Sequence, residues 1–136
     1  MDRVEIKEAS SHHSERIQEL LKQLGYEAPL EQIEKNLANN ILIALEEDEV
    51  VGLMSLIFFD YFPTSHKMCR ITAIVVDEAF RGKGIGSQLI DFAKEIAVDK
   101  GCNALEVTTS LRREQTQAYY EHIGFKKTSF RYLQEL

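Results

Sequence analysis

Ile74-Val75-Val76-Asp77-Glu78-Ala79-Phe80-Arg81-Gly82-Lys83-Gly84-Ile85-Gly86 is the stretch that decides how this chain folds. It reads as a buried strand, a short acidic connection, a glycine-rich turn and the start of an amphipathic helix. The glycines alternate, at Gly82, Gly84 and Gly86. Glycine lets the backbone turn sharply and lets a ligand approach main-chain N–H groups with no Cβ in the way. A helix that begins there points unpaired N–H groups, and the positive end of its dipole, at one spot. Such a spot holds anions, phosphate above all. Arg81 and Lys83 add two positive charges beside it.

Two familiar phosphate-binding patterns fail here. A P-loop needs G-x-x-x-x-G-K-[ST], and counting from Gly82 its second glycine falls on Ser87, followed by Gln88 and Leu89. The dinucleotide fingerprint G-x-G-x-x-G fails because Ser87 stands where its third glycine belongs. A connection also separates the strand from the glycines. Glu106 falls about 20 residues on, as a ribose-binding acid would, but inside the next strand rather than at its end.

Outward from this stretch the chain is ordinary. Its 136 residues suit one domain, 1–136, with a real core. Hydrophobic residues make up 44% and charged residues 28%, the balance of a globular protein in water. The longest apolar runs fall far short of a membrane span. Met1-Asp2-Arg3-Val4-Glu5 has no apolar signal core, so a cytoplasmic protein is expected. Cys69 and Cys102 stand apart, with no metal-ligand or redox spacing, and are expected to be reduced. A net charge of −6 argues against nucleic acid and suits a cationic small molecule or basic peptide.

Upstream, Val4–Ala9 alternates as a first strand, and Ser10–Ser14 offers N-cap residues. Ile17, Leu20, Leu21 and Leu24 recur at helical spacing until Gly25. Pro29 opens a second helix with Leu30, Ile33 and Leu37 on one face, closed by Asn39-Asn40. His12 and His13 are adjacent and point apart, which favours exposure or capping over metal binding. Ile41–Leu45 and Val50–Phe59 flank an acidic hairpin tip, Glu46–Glu49. Asp60–Lys67 contains Pro63 and reads as a loop, and Cys69–Val76 as the central strand. Downstream, Ile85, Leu89, Ile90, Ala93, Ile96 and Ala97 face the core from a helix that stops at Gly101. Ala104–Thr109 reads as a strand, Glu114–His122 as a helix and Ser129–Leu133 as a last strand. The pattern gives an α+β or α/β chain with one mixed sheet.

The pattern that does fit the glycine turn is [QR]-x-x-G-x-[GA], with Arg81, Gly84 and Gly86 in its fixed places. Tyr119-Tyr120-Glu121-His122-Ile123-Gly124-Phe125 fits [FLY]-Y-x-x-x-G-F, and Val50-Val51-Gly52-Leu53 fits a "v-v-G-x" third strand. In these segments, and in the order of elements along nearly the whole chain, the sequence resembles the GCN5-related N-acetyltransferase (GNAT) superfamily. The resemblance implies a sheet splayed between its fourth and fifth strands, with the pantetheine of acetyl-CoA in the gap. It implies main-chain contacts from Ile74, Val75 and Val76, and cofactor binding by Arg81, Gly82, Lys83, Gly84, Ile85, Gly86 and Ser87. No metal is implied.

Acetyl transfer from a thioester to an amine poses two proton problems. A lysine-like ammonium, with a pKa of about 10.4, must lose a proton before it attacks. The departing thiolate must gain one or be stabilised. The resemblance implies Tyr120 as the general acid. The positions where the family often carries a glutamate base hold Arg70 and Thr72. Glu106 and His66 are the remaining candidates for that base, beside a chain of waters with no single base. The region where the family often has an asparagine reads Leu111-Arg112-Arg113-Glu114-Gln115. Arg112 and Arg113 are either contacts to the 3′-phosphate end of CoA or surface arginines at a helix start. Expected partners are a small-molecule or peptide amine, cationic at neutral pH, with no nucleic acid and no membrane; a homodimer is allowed. The alternative function is a non-catalytic acyl-CoA-binding module of the same fold, kept open by the missing acid.

Overall fold

The computed structural model describes residues 3–109 and 113–136. In chain order it forms β1 (Glu5–Glu8), α1 (Ser14–Leu24), α2 (Leu30–Asn36), β2 (Ile41–Glu46) and β3 (Glu49–Tyr61). Then come β4 (His66–Val76), α3 (Ile85–Asp99), β5 (Ala104–Val107) and α4 (Glu114–His122). The strands lie side by side in the order β1-β2-β3-β4-β5. Each neighbouring pair is antiparallel except β4 and β5, which run parallel across the α3 crossover. This is the expected α+β class with one open mixed sheet.

Each face of the sheet buries a different set of side chains. Ile17 and Leu20 of α1 and Ile33 of α2 pack on Ile43, Leu45, Leu53 and Val75. Ile85, Leu89, Ile90 and Ala93 of α3, with Tyr120 of α4, pack on Leu42, Met54, Leu56, Cys69 and Ile71. The period-2 alternation of β2 to β4 feeds both cores at once. Gly25, left-handed at φ 108°, stops α1, and its N–H reaches the carbonyls of Leu21 and Lys22. At Gly52 helix α3 packs close against the sheet. A Cβ there would lie 3.2 Å from Ala44 Cβ and 3.3 Å from Leu89 Cδ1.

Three expectations are corrected. The segment 60–67 is not a loop. β3 and β4 pair through to Tyr61 and His66, leaving only Phe62–Ser65 to turn. The Thr64 N–H donates to Tyr61 O at 3.0 Å, and the Thr64 hydroxyl accepts from the His66 N–H at 3.1 Å. Pro63 sits inside the turn, where its missing N–H breaks no ladder. The last strand, Ser129–Leu133, does not form, and β5 ends at Val107 rather than Thr109. Alternation marks a segment able to join a sheet, but a strand exists only where an edge receives it, and none does so here.

Candidate active site

The gap expected between the fourth and fifth strands is written into the register. β5 pairs with β4 only at Met68–Ile71. Beyond that point Thr72–Val76 continue along β3 without it. Thr72 is the extra residue of a bulge, since Ser55 faces Ala73 and Leu56 faces Ile71. The Asp77 N–H donates to Val51 O at 2.9 Å, toward β3. Backbone groups alternate sides along a strand, so Val75 also faces β3 while Ile74 and Val76 face the gap. The Val76 carbonyl is taken there by Arg81 Nε, at 3.1 Å.

The glycine turn lies just past the end of β4. Gly82 and Gly84 both adopt φ 81°, and Gly84 is the N-cap of α3. That left-handed backbone is natural to glycine. The first bond closing α3 runs from Gln88 N–H to Gly84 O, at 3.1 Å. The N–H groups of Ile85, Gly86 and Ser87 precede it and point out of the helix end. A Cβ at Gly82 would meet nothing within 4 Å, and one at Gly86 only Val76 Cγ2 at 3.9 Å. Lys83 Nζ rides 5.0 Å from the centre of the Phe80 ring. An open backbone surface, free N–H groups and a nearby cation together fit a pyrophosphate.

A brace from α1 fixes this turn, and sequence reasoning missed it. Arg16 pairs with Asp77, donates from Nε to Val50 O at 3.0 Å, and bonds Glu19 at 2.8 Å. Asp77 caps the short helical turn Glu78–Phe80, accepting from the Ala79 N–H at 3.0 Å. That N–H bond, with the Arg16 guanidinium, holds the Asp77 carboxyl below its usual range. Gln23 accepts from the Glu78 N–H at 2.9 Å. An acid straight after a strand was a readable cap signal, but nothing in the sequence pointed to Arg16. Arg113 is used in the same way, donating to Leu24 O at 3.0 Å. Arg112 lies outside the described residues.

The two tyrosines of α4 diverge. The Tyr119 hydroxyl bonds the Ser87 hydroxyl and so ties α4 to the first turn of α3. Tyr120 is 9% exposed and meets Phe125 edge-on, ring centres 5.6 Å apart. Burial is the main cause that raises its pKa, so the phenol keeps its proton at neutral pH and beyond. Cys69 is fully buried, and its thiol is pushed up to about 11 by burial. A thiol so hard to ionise is a poor nucleophile.

The remaining candidates sit on the other face of the sheet. Glu106 faces Arg70 across the β4–β5 pair and forms an ion pair with it. The Arg70 guanidinium lies 4.9 Å from the centre of the Phe59 ring. The hydroxyls of Ser55 and Thr72 bond each other at 2.6 Å, between that pair and Ile74. His66 opens β4 at its far end. At ~3.3 Å per residue it stands roughly 26 Å along the strand from Ile74, against roughly 13 Å for Arg70. The structure thus gathers Ile74, Val76 and residues 81–87 at one end of the gap, brings Glu106 within a few residues of it, and leaves His66 apart.

The chain belongs to the acetyltransferase (GNAT) family, whose model matches residues 6–125. It is 33% identical over 122 residues to the aminoalkylphosphonate N-acetyltransferase of Salmonella typhimurium, covering 87% of this chain and 79% of that one. The fold matches a transcriptional regulator from Bacillus halodurans with a TM-score of 0.88 at 25% identity, over 98% of this chain and 100% of that one. It also matches an aminoglycoside N-acetyltransferase solved in complex with CoA, with a TM-score of 0.84 at 20% identity, over 98% and 95% of the two chains. The chain is an enzyme of the N-acetyltransferase class. Among the described residues no helix is long and apolar enough to cross a membrane.

Proposed function

We propose that this chain, as one domain over 1–136, moves the acetyl group of acetyl-CoA directly to a small primary amine. The observation that carries this reading is the unpaired stretch of β4 ending at the free N–H groups of α3. Acetyl-CoA supplies an activated acetyl thioester. Residues Arg81 to Ser87 hold its pyrophosphate, and the gap-facing main chain of Ile74 and Val76 holds its pantetheine. Tyr120, on α4 beside α3, gives its proton to the departing sulfur. No acyl-enzyme is needed, in keeping with the inert Cys69.

The acceptor enters from the opposite face, where Ser55, Thr72, Arg70 and Glu106 lie. Its ammonium loses a proton to water, and Glu106, already paired with Arg70, takes that proton at one remove. His66 is too distant for this part. The −6 charge favours a cationic acceptor, and the relative that acts on aminoalkylphosphonates supports a small one. A cytoplasmic setting accords with two unpaired thiols, Cys69 and Cys102.

The test is the release of free CoA from acetyl-CoA with a panel of primary amines, with mass detection of the acetylated product. Amine-dependent release is expected. Acetyl-CoA binding with no release across the panel would mark a binding module instead.

A further inference from the structure

A cavity of about 150 Å³ lies between α1, α2 and the sheet, on the face that carries Ser55 and Thr72. Leu21, Ile33 and Leu53 give it an apolar lining, and its polar residues are Gln32, Asn36 and Ser55. None of the described residues that line it is charged. The Asn36 amide is already engaged, donating to Gln32 O at 2.8 Å and accepting from Asn39 at 3.3 Å. An apolar cavity of about 150 Å³ stays dry and accepts a molecule the size of benzene. An apolar group that fills such a void restores the dispersion contacts its lining lacks.

Ser55 connects this cavity to the gap. It faces Ala73 across the β3–β4 pair, and its hydroxyl bonds that of Thr72 at 2.6 Å. Strands about 4.8 Å apart, rising ~3.3 Å per residue, set the Ser55 backbone roughly 6 Å from that of Ile74. The two hydroxyls keep lone pairs that accept from an ammonium. An amine held there has its nitrogen beside the unpaired stretch of β4 and its tail, a few atoms on, in the cavity. The charges of Arg70 and Glu106 on the same face are paired with each other.

We propose that the cavity takes the tail of the acceptor, and that this tail is uncharged, apolar and about the size of a phenyl ring. This rests on the acetyl-transfer reading above and narrows its acceptor to a monoamine with an apolar body. A second ammonium, as in a polyamine, or a phosphonate would lose its water in the cavity with no counter-charge to meet it.

Two measurements on the intact chain test the proposal. One is steady-state CoA release with n-alkylamines from ethylamine to hexylamine, phenethylamine, spermidine and aminoethylphosphonate. The other follows the Leu21 and Leu53 methyl signals by NMR as phenethylamine is added to the CoA-saturated chain. Each added methylene is expected to raise kcat/KM about four-fold until the cavity is full. Phenethylamine is expected to exceed both multiply charged amines by about 10-fold or more, and both methyl signals are expected to shift saturably. Leu37→Trp, just past the end of α2, fills the cavity and is expected to abolish the preference for phenethylamine over ethylamine. Should that variant fail to fold, the alkylamine series on the parent decides. Methyl shifts with no CoA release from any amine would end the transfer reading while keeping the cavity as an apolar-amine site. Unmoved methyl signals, a flat alkylamine series, or a higher kcat/KM for spermidine or aminoethylphosphonate would overturn the proposal.

Discussion

Arg16 on α1 and Asp77 at the end of β4 form an ion pair that joins α1 to the connection leading into the glycine turn. Asp77 is 7% exposed, so removing one partner strands a nearly buried charge. Arg16→Ala is expected to raise the KM for acetyl-CoA several-fold and to lower the melting temperature. Because the folded Asp77 carboxyl titrates below its ordinary value, the unfolded chain takes up its proton first as pH falls. The stability from Asp77 is therefore full above the unfolded value near 3.8 and is lost below it. Asp77→Asn should shrink the drop in melting temperature between pH 5 and pH 3, read by scanning calorimetry.

Tyr119 and Tyr120 should fail in different ways. Tyr120→Phe keeps the ring and removes only the proton. It is expected to lower kcat by 10-fold or more, about 1.4 kcal/mol, with acetyl-CoA affinity little changed. Tyr119→Phe breaks the bond to Ser87 and is expected to raise the KM for acetyl-CoA while leaving kcat nearly intact. Steady-state kinetics across pH 6–9 separates the two. Parental turnover in Tyr120→Phe would give the acid role to another group or to water.

Gly52 holds α3 close to the sheet. A valine there would drive its side chain against Ala44 and Leu89, already within 3.3 Å of where a Cβ would lie. Overpacking of this kind costs about 1–3 kcal/mol. Urea unfolding is expected to show that loss, with weaker acetyl-CoA binding as Ile85 shifts. An unchanged midpoint would mean the helix yields freely.

His13 sets a second pH dependence, well above that of Asp77. Its Nδ1 accepts from the Ser10 N–H at 3.0 Å, and burial, with the charges of His12 and Lys7, lowers its pKa from 6.5. In the window below 6.5 the unfolded chain binds the proton that the folded chain resists. Stability should therefore fall as pH drops through that window. His13→Asn should flatten the melting temperature between pH 7 and pH 5; an unaltered slope would assign the effect elsewhere.

The five strands that form, the three longer helices and the glycine turn were legible because each writes its own local pattern. Leu89 and Ile90 announce a helix face, and Gly82 and Gly84 take the left-handed backbone that only a turn requires. What stayed hidden depends on partners distant in sequence. Arg16 and Asp77 lie 61 residues apart, and nothing local links them. The Glu106 carboxylate reads as a free acid until the register sets it against Arg70. Pro63 suggested a long loop, whereas cross-strand pairing extends nearly to the proline itself. Residues 129–133 carry the alternation of a strand, but no edge of the sheet receives them.

Titration calorimetry of acetyl-CoA into the parent chain and into Gly84→Asp tests the phosphate site most directly. Aspartate tolerates a left-handed backbone better than most residues, so the fold is expected to survive at φ 81°. Its carboxylate would then repel pyrophosphate at the head of α3. Lys83→Ala, which removes only an exposed cation, should weaken binding by about 1 kcal/mol at most. The expected result is saturable binding to the parent and none to Gly84→Asp at matched melting temperature. Equal affinity in the two, or no binding to the parent, would contradict the site.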